Sequence, residues 1–154
     1  MDLVSRYQAT VAERGLSEDP AQRRAILVLD RVARQLAARA APRRFPGLVR
    51  RFLPVPSAPA PVRGAYLWGG VGRGKTLMMD LFFESLPFDD KLRYHFHRIM
   101  SRVHGQLARL RDTPDPLPVI AADFARDARV ICFDEFFVAD IADAMLLGRF
   151  IEAL

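Results

Sequence analysis

The chain has 154 residues, of which 51% are hydrophobic, so it has room for one domain with a moderate core and is not a disordered chain. Its single cysteine excludes an intrachain disulfide, and the lack of a long apolar run or a secretion signal favours a cytoplasmic protein with no transmembrane segment. The net charge of +5 is uneven, because residues 1–64 carry 12 arginines and five acidic residues, whereas residues 65–154 have a net charge of −2.

The arginine-rich front part has two interpretations. One is a surface for nucleic acid, an acidic partner or a membrane. The other is the bias of an arginine-rich genome, displayed on solvated faces. We favour the second, because the arginines are not interleaved with the aromatic side chains that single-strand binders use. Nucleic acid is therefore not the expected partner.

Two helices are predicted before residue 42. The first spans residues 2–15, and three residues share one of its faces at i, i+4 and i+8: Leu3, Tyr7 and Val11. The second begins with Asp19 as its N-cap and Pro20 as its first helical residue, and it extends to about Ala41. Its predicted apolar stripe consists of Ile26, Leu29, Val32 or Ala33, and Leu36.

Tyr7 and Gln22 are the two side chains of this region that could reach a nucleotide base. In the ordinary interpretation, Tyr7 packs in the core and Gln22 is solvated. In the alternative, both contact adenine, and replacing Gln22 then changes the preference for ATP over GTP.

Residues 41–64 contain six of the eleven prolines and five arginines. Proline at this density excludes a helix or an interior strand. The segment is predicted to be an extended basic connector, with a docking surface as the alternative. The predicted organisation is an N-terminal helical segment at 1–41, the connector at 42–64, and the first part of a nucleotide-binding core at 65–154.

Residues 65–86 contain the most specific motif of the sequence. The pattern G-x-x-x-x-G-K-[ST] is satisfied by four residues: Gly69, Gly74, Lys75 and Thr76. The apolar run at 65–68 predicts a buried strand, and apolar residues at helical spacing after the motif predict a helix that begins at Lys75 or Thr76. A strand, a glycine loop and a helix start in this order form a phosphate cradle, because backbone N–H groups and the positive end of the helix converge on one anion.

Lys75 is predicted to reach the β and γ phosphates, and the hydroxyl of Thr76 is predicted to ligate Mg²⁺. The chain uses 21 arginines but only two lysines, and one of the two stands where a compact ammonium group is needed. The predicted nucleotide-binding residues are consecutive: Gly69, Gly70, Val71, Gly72, Arg73, Gly74, Lys75, Thr76 and Leu77.

Residues 92–97 alternate and predict a second strand, which a helix over residues 98–111 follows. The inward residues of this helix are predicted to be Met100, Val103, Leu107 and Leu110. His95 and His97 are placed on one face of the strand and invite a metal interpretation. No cysteine or well-placed carboxylate completes a ligand set, so we predict packed or hydrogen-bonded histidines and no metal site made of them.

A second chemical motif occupies residues 129–136, where a short apolar strand ends in Asp134 and Glu135. In a buried parallel strand, carboxylates are expected at the C-terminal edge, where ligands bind. Asp134 is predicted to hold Mg²⁺ through water, and Glu135 is predicted to act as the general base that polarises the attacking water.

The remaining elements are a turn at residues 112–117, a brief helix at 123–127, and a last helix that Asp140 caps and that continues to Leu154. Asp143 falls in the first turn of this last helix. Its predicted buried stripe is Ile141, Met145, Leu146 and Phe150.

Four segments together resemble the ZapE family of AFG-like ATPases: YLWGGVGRGKTLMMDLFF, RYHFHRIMSRVHGQL, DPLPVIAADFA and RVICFDEFFVADIADAMLLGRF. The likeness covers nearly the whole chain and is strongest over residues 64–150. Members of this family are AAA+-type P-loop proteins, which include a division-associated ATPase of Gram-negative bacteria and a mitochondrial counterpart. The resemblance implies an α/β fold of three layers with a mostly parallel sheet, incomplete in this chain and preceded by N-terminal helices.

By position, the resemblance implies nucleotide contacts from Gly69 to Thr76, magnesium coordination through Thr76 and Asp134, and catalysis through Glu135 together with Lys75. It also supplies ATP as the nucleotide, because a phosphate loop recognises phosphates and not bases. ATP and Mg²⁺ are thus the expected cofactors. The implied partners are the division ring with its tubulin-like polymer and, by self-association, further copies of the protein.

The chain departs from the family pattern in two residues and in length. Where the family usually has a glutamine and a threonine, this chain has Phe137 and Ala139, and the loss of the first polar side chain is expected to weaken the positioning of water. The family continues past Leu154, where the resemblance places a sensor strand, an arginine finger and a helical lid. Because that strand lies between the two motif-bearing strands of the AAA+ sheet, these 154 residues alone are expected to fold poorly and to hydrolyse ATP slowly.

The predicted function is Mg-dependent ATP binding and hydrolysis linked to cell division, by in-line attack of a water that Glu135 orients. One alternative is a nucleotide-gated interaction module whose arginine-rich front part docks a partner and whose hydrolysis is incidental. Another is an AAA+ helicase loader that acts on DNA, for which steep salt-dependent DNA binding would be evidence.

Overall fold

The computed structural model of the chain describes residues 2–40, 62–138 and 140–154. Most of the predicted connector and Ala139 lie outside the described residues. The chain divides into two compact units, Met1–Phe88 and Asp89–Leu154, which we call the N-terminal unit and the C-terminal unit. The domain boundaries drawn from the sequence stay predictions.

The described part of the N-terminal unit contains three helices: α1 (Leu3–Glu13), α2 (Pro20–Ala40) and α3 (Lys75–Ser85). Asp2 caps α1, since its Oδ1 accepts a hydrogen bond from the backbone N–H of Ser5 at 2.7 Å. The predicted stripes of α1 and α2 are confirmed, because all their members are buried, including both Val32 and Ala33. These stripes pack with the buried residues of α3, which are Met78, Leu81 and Phe82.

The strand predicted at residues 65–68 is wrong for the described part of the chain. The backbone there has no regular structure, and the side chains of Tyr66 and Trp68 are exposed. A strand exists only where a neighbour completes its ladder of N–H and C=O groups. The sheet that the structure describes has two strands, and neither belongs to the N-terminal unit.

The C-terminal unit contains β1 (Lys91–His95), α4 (Phe96–Arg109), α5 (Leu117–Asp127), β2 (Val130–Asp134) and α6 (Ile141–Ala153). The strands β1 and β2 are parallel, and their register sets Lys91 opposite Val130 and His95 opposite Asp134. The two helices between them form the crossover that a parallel pair requires. Where the chain leaves β2, its acidic residues therefore lie at the C-terminal edge of this small sheet.

The predictions for His97 and for α5 are corrected. His97 lies in the first turn of α4 and not on the strand, because the helix begins at Phe96. The brief helix predicted at 123–127 is the end of α5, which begins six residues earlier. Four buried residues at i, i+3, i+4 and i+7 explain its length: Leu117, Ile120, Ala121 and Phe124.

The last helix, α6, keeps its predicted cap but buries a different face. Asp140 accepts a hydrogen bond from the N–H of Ala142 at 2.6 Å, as its cap role predicts. The predicted stripe is wrong at two of its positions, since the side chains of Ile141 and Met145 are 81% and 70% exposed. The buried residues of α6 are Leu147 and Phe150, and Phe150 meets the ring of Phe124 edge-on at a centroid distance of 5.1 Å. Because α6 is apolar on several faces, its contact with α5 decides which face is buried.

Cys132 lies in the middle of β2 and is buried. Burial raises the pKa of its thiol to about 11, and the nearby cations Arg93 and Lys91 only partly oppose this. The thiolate is the reactive form of cysteine, so iodoacetamide at pH 8 should label the native protein about a hundredfold more slowly than the urea-unfolded protein. Equal labelling rates in the two states would contradict this placement of Cys132.

Within the described ranges, no helix combines the length and the apolar composition that crossing a bilayer demands.

Candidate nucleotide-binding site

The glycine motif forms a loop over residues 69–74, the phosphate loop, which leads directly into α3. Gly72 and Gly74 have φ angles of +77° and +75°, a left-handed backbone that side chains with a Cβ rarely adopt. Gly74 is the N-cap of α3, and its carbonyl accepts the hydrogen bond from Met78 N–H at 3.0 Å. The free N–H groups of the first helical turn therefore follow the loop without interruption, as a binding site for phosphate requires.

Lys75 is the first residue of α3, and its side chain folds back over the loop. Its Nζ donates hydrogen bonds to the carbonyls of Gly69 at 2.8 Å and Gly70 at 2.7 Å. The ammonium group is thus held beside the loop by two neutral acceptors. An anionic phosphate oxygen is a stronger partner for it than either carbonyl.

The other predicted residues of the motif lie around the same turn. Thr76 is the second residue of α3 and is exposed, whereas Leu77 is half-buried. Beside the loop, an open depression of about 840 Å³ is lined by the first half of α2, by residues 65–71 and by Lys75. Gln22 is one of its lining residues.

Tyr7 is almost fully buried, and its hydroxyl donates a hydrogen bond to Gln22 Oε1 at 2.9 Å. This burial, and secondarily the charges of Asp19 and Glu18, raise the pKa of the Tyr7 phenol. Of the two residues predicted to contact a base, Gln22 therefore lines the depression and Tyr7 supports it from behind.

Asp134 and Glu135, the acidic pair, lie in the C-terminal unit at the end of β2. Asp134 Oδ2 accepts a hydrogen bond from the guanidinium of Arg93 at 2.9 Å, and the Asp134 side chain is 15% exposed. Glu135 has a φ angle of +51°, which is uncommon for a residue with a side chain. Its carboxylate lies 3.8 Å from Nδ1 of His95 and is 77% exposed. A strained acidic residue at a strand end is a feature that functional sites often show.

Arg93 and His95 are partners of the acidic pair that the sequence reasoning did not identify. They are two residues apart on β1, so their side chains leave the strand on the same face. The alternation of β1 was visible in the sequence, but its parallel register with β2 was not. The rings of His95 and His97 stack at a centroid distance of 5.9 Å, and no group of three or more metal-ligating side chains occurs within the described ranges.

A glycine loop that ends in a lysine at the start of a helix is typical of the phosphate-binding element of P-loop nucleoside triphosphatases, and residues 69–75 have this arrangement. A family model described as AFG1-like ATPase matches residues 1–154. The chain belongs to the AFG1-like ATPase family.

Relatives from three organisms show how far the similarity extends. The cell division protein ZapE of Escherichia coli strain K12 is 61% identical over 94 residues, which are 61% of this chain and 25% of that protein. An uncharacterized protein of Schizosaccharomyces pombe, C115.02c, is 45% identical over 108 residues, in a match that covers 66% of this chain and 23% of that protein. Lactation elevated protein 1 homolog B of Danio rerio is 39% identical over 109 residues, in a match that covers 64% of this chain and 22% of that protein. The chain thus spans about a quarter of the length of the curated relatives that it matches, and no solved structure matches it.

Proposed function

We propose that the protein binds Mg-ATP at the phosphate loop and hydrolyses it at the bond between the β and γ phosphates. The observation that carries this proposal is the loop itself, where Lys75 opens α3 and holds its ammonium group over the carbonyls of Gly69 and Gly70. The family to which the chain belongs supports ATP as the nucleotide. In this proposal the phosphates bind to the backbone amides of residues 69–77 and to the Lys75 side chain.

The oxygens that we propose as Mg²⁺ ligands are the hydroxyl of Thr76 and the carboxylate of Asp134. Such an all-oxygen set suits Mg²⁺, and the Thr76 side chain is exposed. The Asp134 carboxylate pairs with the guanidinium of Arg93 at 2.9 Å, and the proposal requires the same carboxylate to face the Mg²⁺ ion. Mg²⁺ would neutralise the charge that develops on the phosphate oxygens.

We assign the role of general base to Glu135. Its carboxylate is exposed at the end of β2, where it can accept a proton from water, and Nδ1 of His95 lies 3.8 Å from it. Lys75 and the loop amides stabilise the negative charge of the transition state. Contact of Gln22 with the base remains a prediction, and Tyr7 offers the base little surface because its ring is buried.

We further propose that the complete protein acts in bacterial cell division as a cytoplasmic ATPase that self-associates. The role in cell division is supported by a relative with 61% identity whose name is cell division protein ZapE. Association with the division ring and its tubulin-like polymer rests on the family resemblance alone.

The proposal is tested with the purified complete protein, by titration with ATP and GTP in the presence and absence of Mg²⁺ and by phosphate release. We expect saturable ATP binding that Mg²⁺ strengthens, followed by release of phosphate. A protein that binds neither nucleotide would contradict the proposal. Steep salt-dependent binding of the complete protein to DNA would favour the helicase-loader alternative.

A further inference from the structure

A chain of two side-chain hydrogen bonds connects the first helix to the phosphate loop. The Tyr7 hydroxyl on α1 donates to Gln22 Oε1 at 2.9 Å, and Gln22 Nε2 on α2 donates to the backbone carbonyl of Arg73 at 3.1 Å. Tyr7 accounts for the acceptor end of the Gln22 amide, so the amide group is fixed with its N–H side toward the loop.

The Gln22 amide also packs against the next residue of the loop. A Cβ atom built on Gly74 would lie 2.8 Å from Gln22 Nε2, closer than real Cβ contacts come. Gln22 therefore touches the two loop residues that precede Lys75, at the point where the backbone turns into α3.

Asp19 connects the same part of the loop to the start of α2. One of its carboxylate oxygens accepts a hydrogen bond from Ala21 N–H at 2.7 Å, and the other accepts one from the Arg73 guanidinium at 3.0 Å. An exposed ion pair of this kind contributes little stability alone. Gln22 holds the carbonyl of Arg73 and Asp19 holds its guanidinium, so both ends of Arg73 are tied to the start of α2.

We propose that Gln22, oriented by Tyr7, is a positioning residue that fixes the backbone of the phosphate loop in the conformation that receives phosphate. This inference rests on the proposed function. Residues 70–73 of the loop are exposed, so little else of the N-terminal unit covers them. A loop that is held in place before the ligand arrives loses less conformational entropy on binding, and its affinity is correspondingly higher.

The proposal differs from the base-contact hypothesis in what it predicts for two nucleotides. Gln22→Met keeps the length of the side chain but removes the amide. It should lower the affinities for ATP and GTP by the same factor, about tenfold. Tyr7→Phe should lower the affinities for both nucleotides by a smaller factor. The double variant should be no weaker than Gln22→Met alone, because both changes disrupt one hydrogen-bond chain. The matched control is Gln35→Met, an exposed glutamine further along α2, which should leave both affinities unchanged.

A change in the ATP-to-GTP ratio in Gln22→Met would overturn the proposal in favour of base contact. Unchanged affinity for both nucleotides would also overturn it.

Hydrogen exchange in the absence of nucleotide separates a failure of this inference from a failure of the proposed function. In the complete protein, the amides of residues 69–76 should exchange faster in Gln22→Met than in the parent or in Gln35→Met, whereas the amides of α2 should be unchanged. Equal exchange of the loop in all three proteins would overturn the positioning role, whether or not ATP binds. Faster exchange in a protein that binds no nucleotide would instead reject the ATP function and retain the effect of Gln22 on the loop.

Discussion

Replacing Lys75 with alanine is expected to abolish nucleotide capture, with a loss of affinity for ATP of about a hundredfold or more. The Lys75 ammonium is held over the loop by hydrogen bonds to the carbonyls of Gly69 and Gly70. When ATP binds, we expect phosphate oxygens to replace these two carbonyls as its partners. Hydrogen bonds to charged partners contribute about 1.5–3 kcal/mol each, so losing two of them accounts for a change of this size. The measurement is equilibrium binding of ATP to the complete protein.

The chain offers a matched control for this variant, because Lys91 is its only other lysine. Lys91 begins β1 in the C-terminal unit, outside the phosphate loop. Lys91→Ala should retain ATP affinity within about twofold. Undiminished retention of ATP by Lys75→Ala would remove the basis of the proposed function.

Replacing Glu135 with glutamine is expected to separate binding from hydrolysis. Glutamine has the same shape as glutamate but does not take a proton from water, so the rate of phosphate release should fall about 10²–10⁴-fold. The affinity for ATP should change little, because the carboxylate is not proposed to contact the phosphates. Glu152→Gln, an exposed change on α6, is the control and should leave both quantities unaltered.

The same Glu135→Gln variant separates an ATPase motor from a nucleotide-gated interaction module. A motor that cannot hydrolyse ATP loses its effect in cells, whereas a module locked with ATP keeps or gains its partner. A Glu135→Gln variant that binds ATP and releases phosphate at the rate of the parent would show that Glu135 is not the general base.

The helices of the N-terminal unit could be predicted because their signals are local. Asp19 before Pro20 marks the start of α2, and spaced apolar residues mark its buried stripe. The strand at 65–68 could not be settled in this way, because strand formation depends on a neighbour that the local sequence does not contain. The prediction of the buried face of α6 failed for a similar reason. The contact of α6 with α5 selects Leu147 and Phe150 among several apolar residues.

At the candidate site, the residues that carry the motif could be named from the sequence, whereas the contacts that hold them in place could not. Glycine spacing and Lys75 are visible as a pattern, since the chemistry of phosphate binding fixes the order of residue types. The pairing of Arg93 with Asp134 depends on a parallel register, and the bond from Gln22 to Arg73 joins residues 51 positions apart. Neither leaves a periodic or compositional signal.

We propose that the Thr76 hydroxyl and the Asp134 carboxylate are both needed for the effect of Mg²⁺ on ATP binding. A double-mutant cycle tests this claim most directly, with Thr76→Val, Asp134→Asn and the combined variant compared for the increase in ATP affinity that Mg²⁺ produces. If both side chains serve one ion, each single change should reduce the Mg²⁺ effect, and the double change should cost clearly less than the two single losses together. Strictly additive losses, or a Mg²⁺ effect that neither change reduces, would show that the two side chains do not serve one ion.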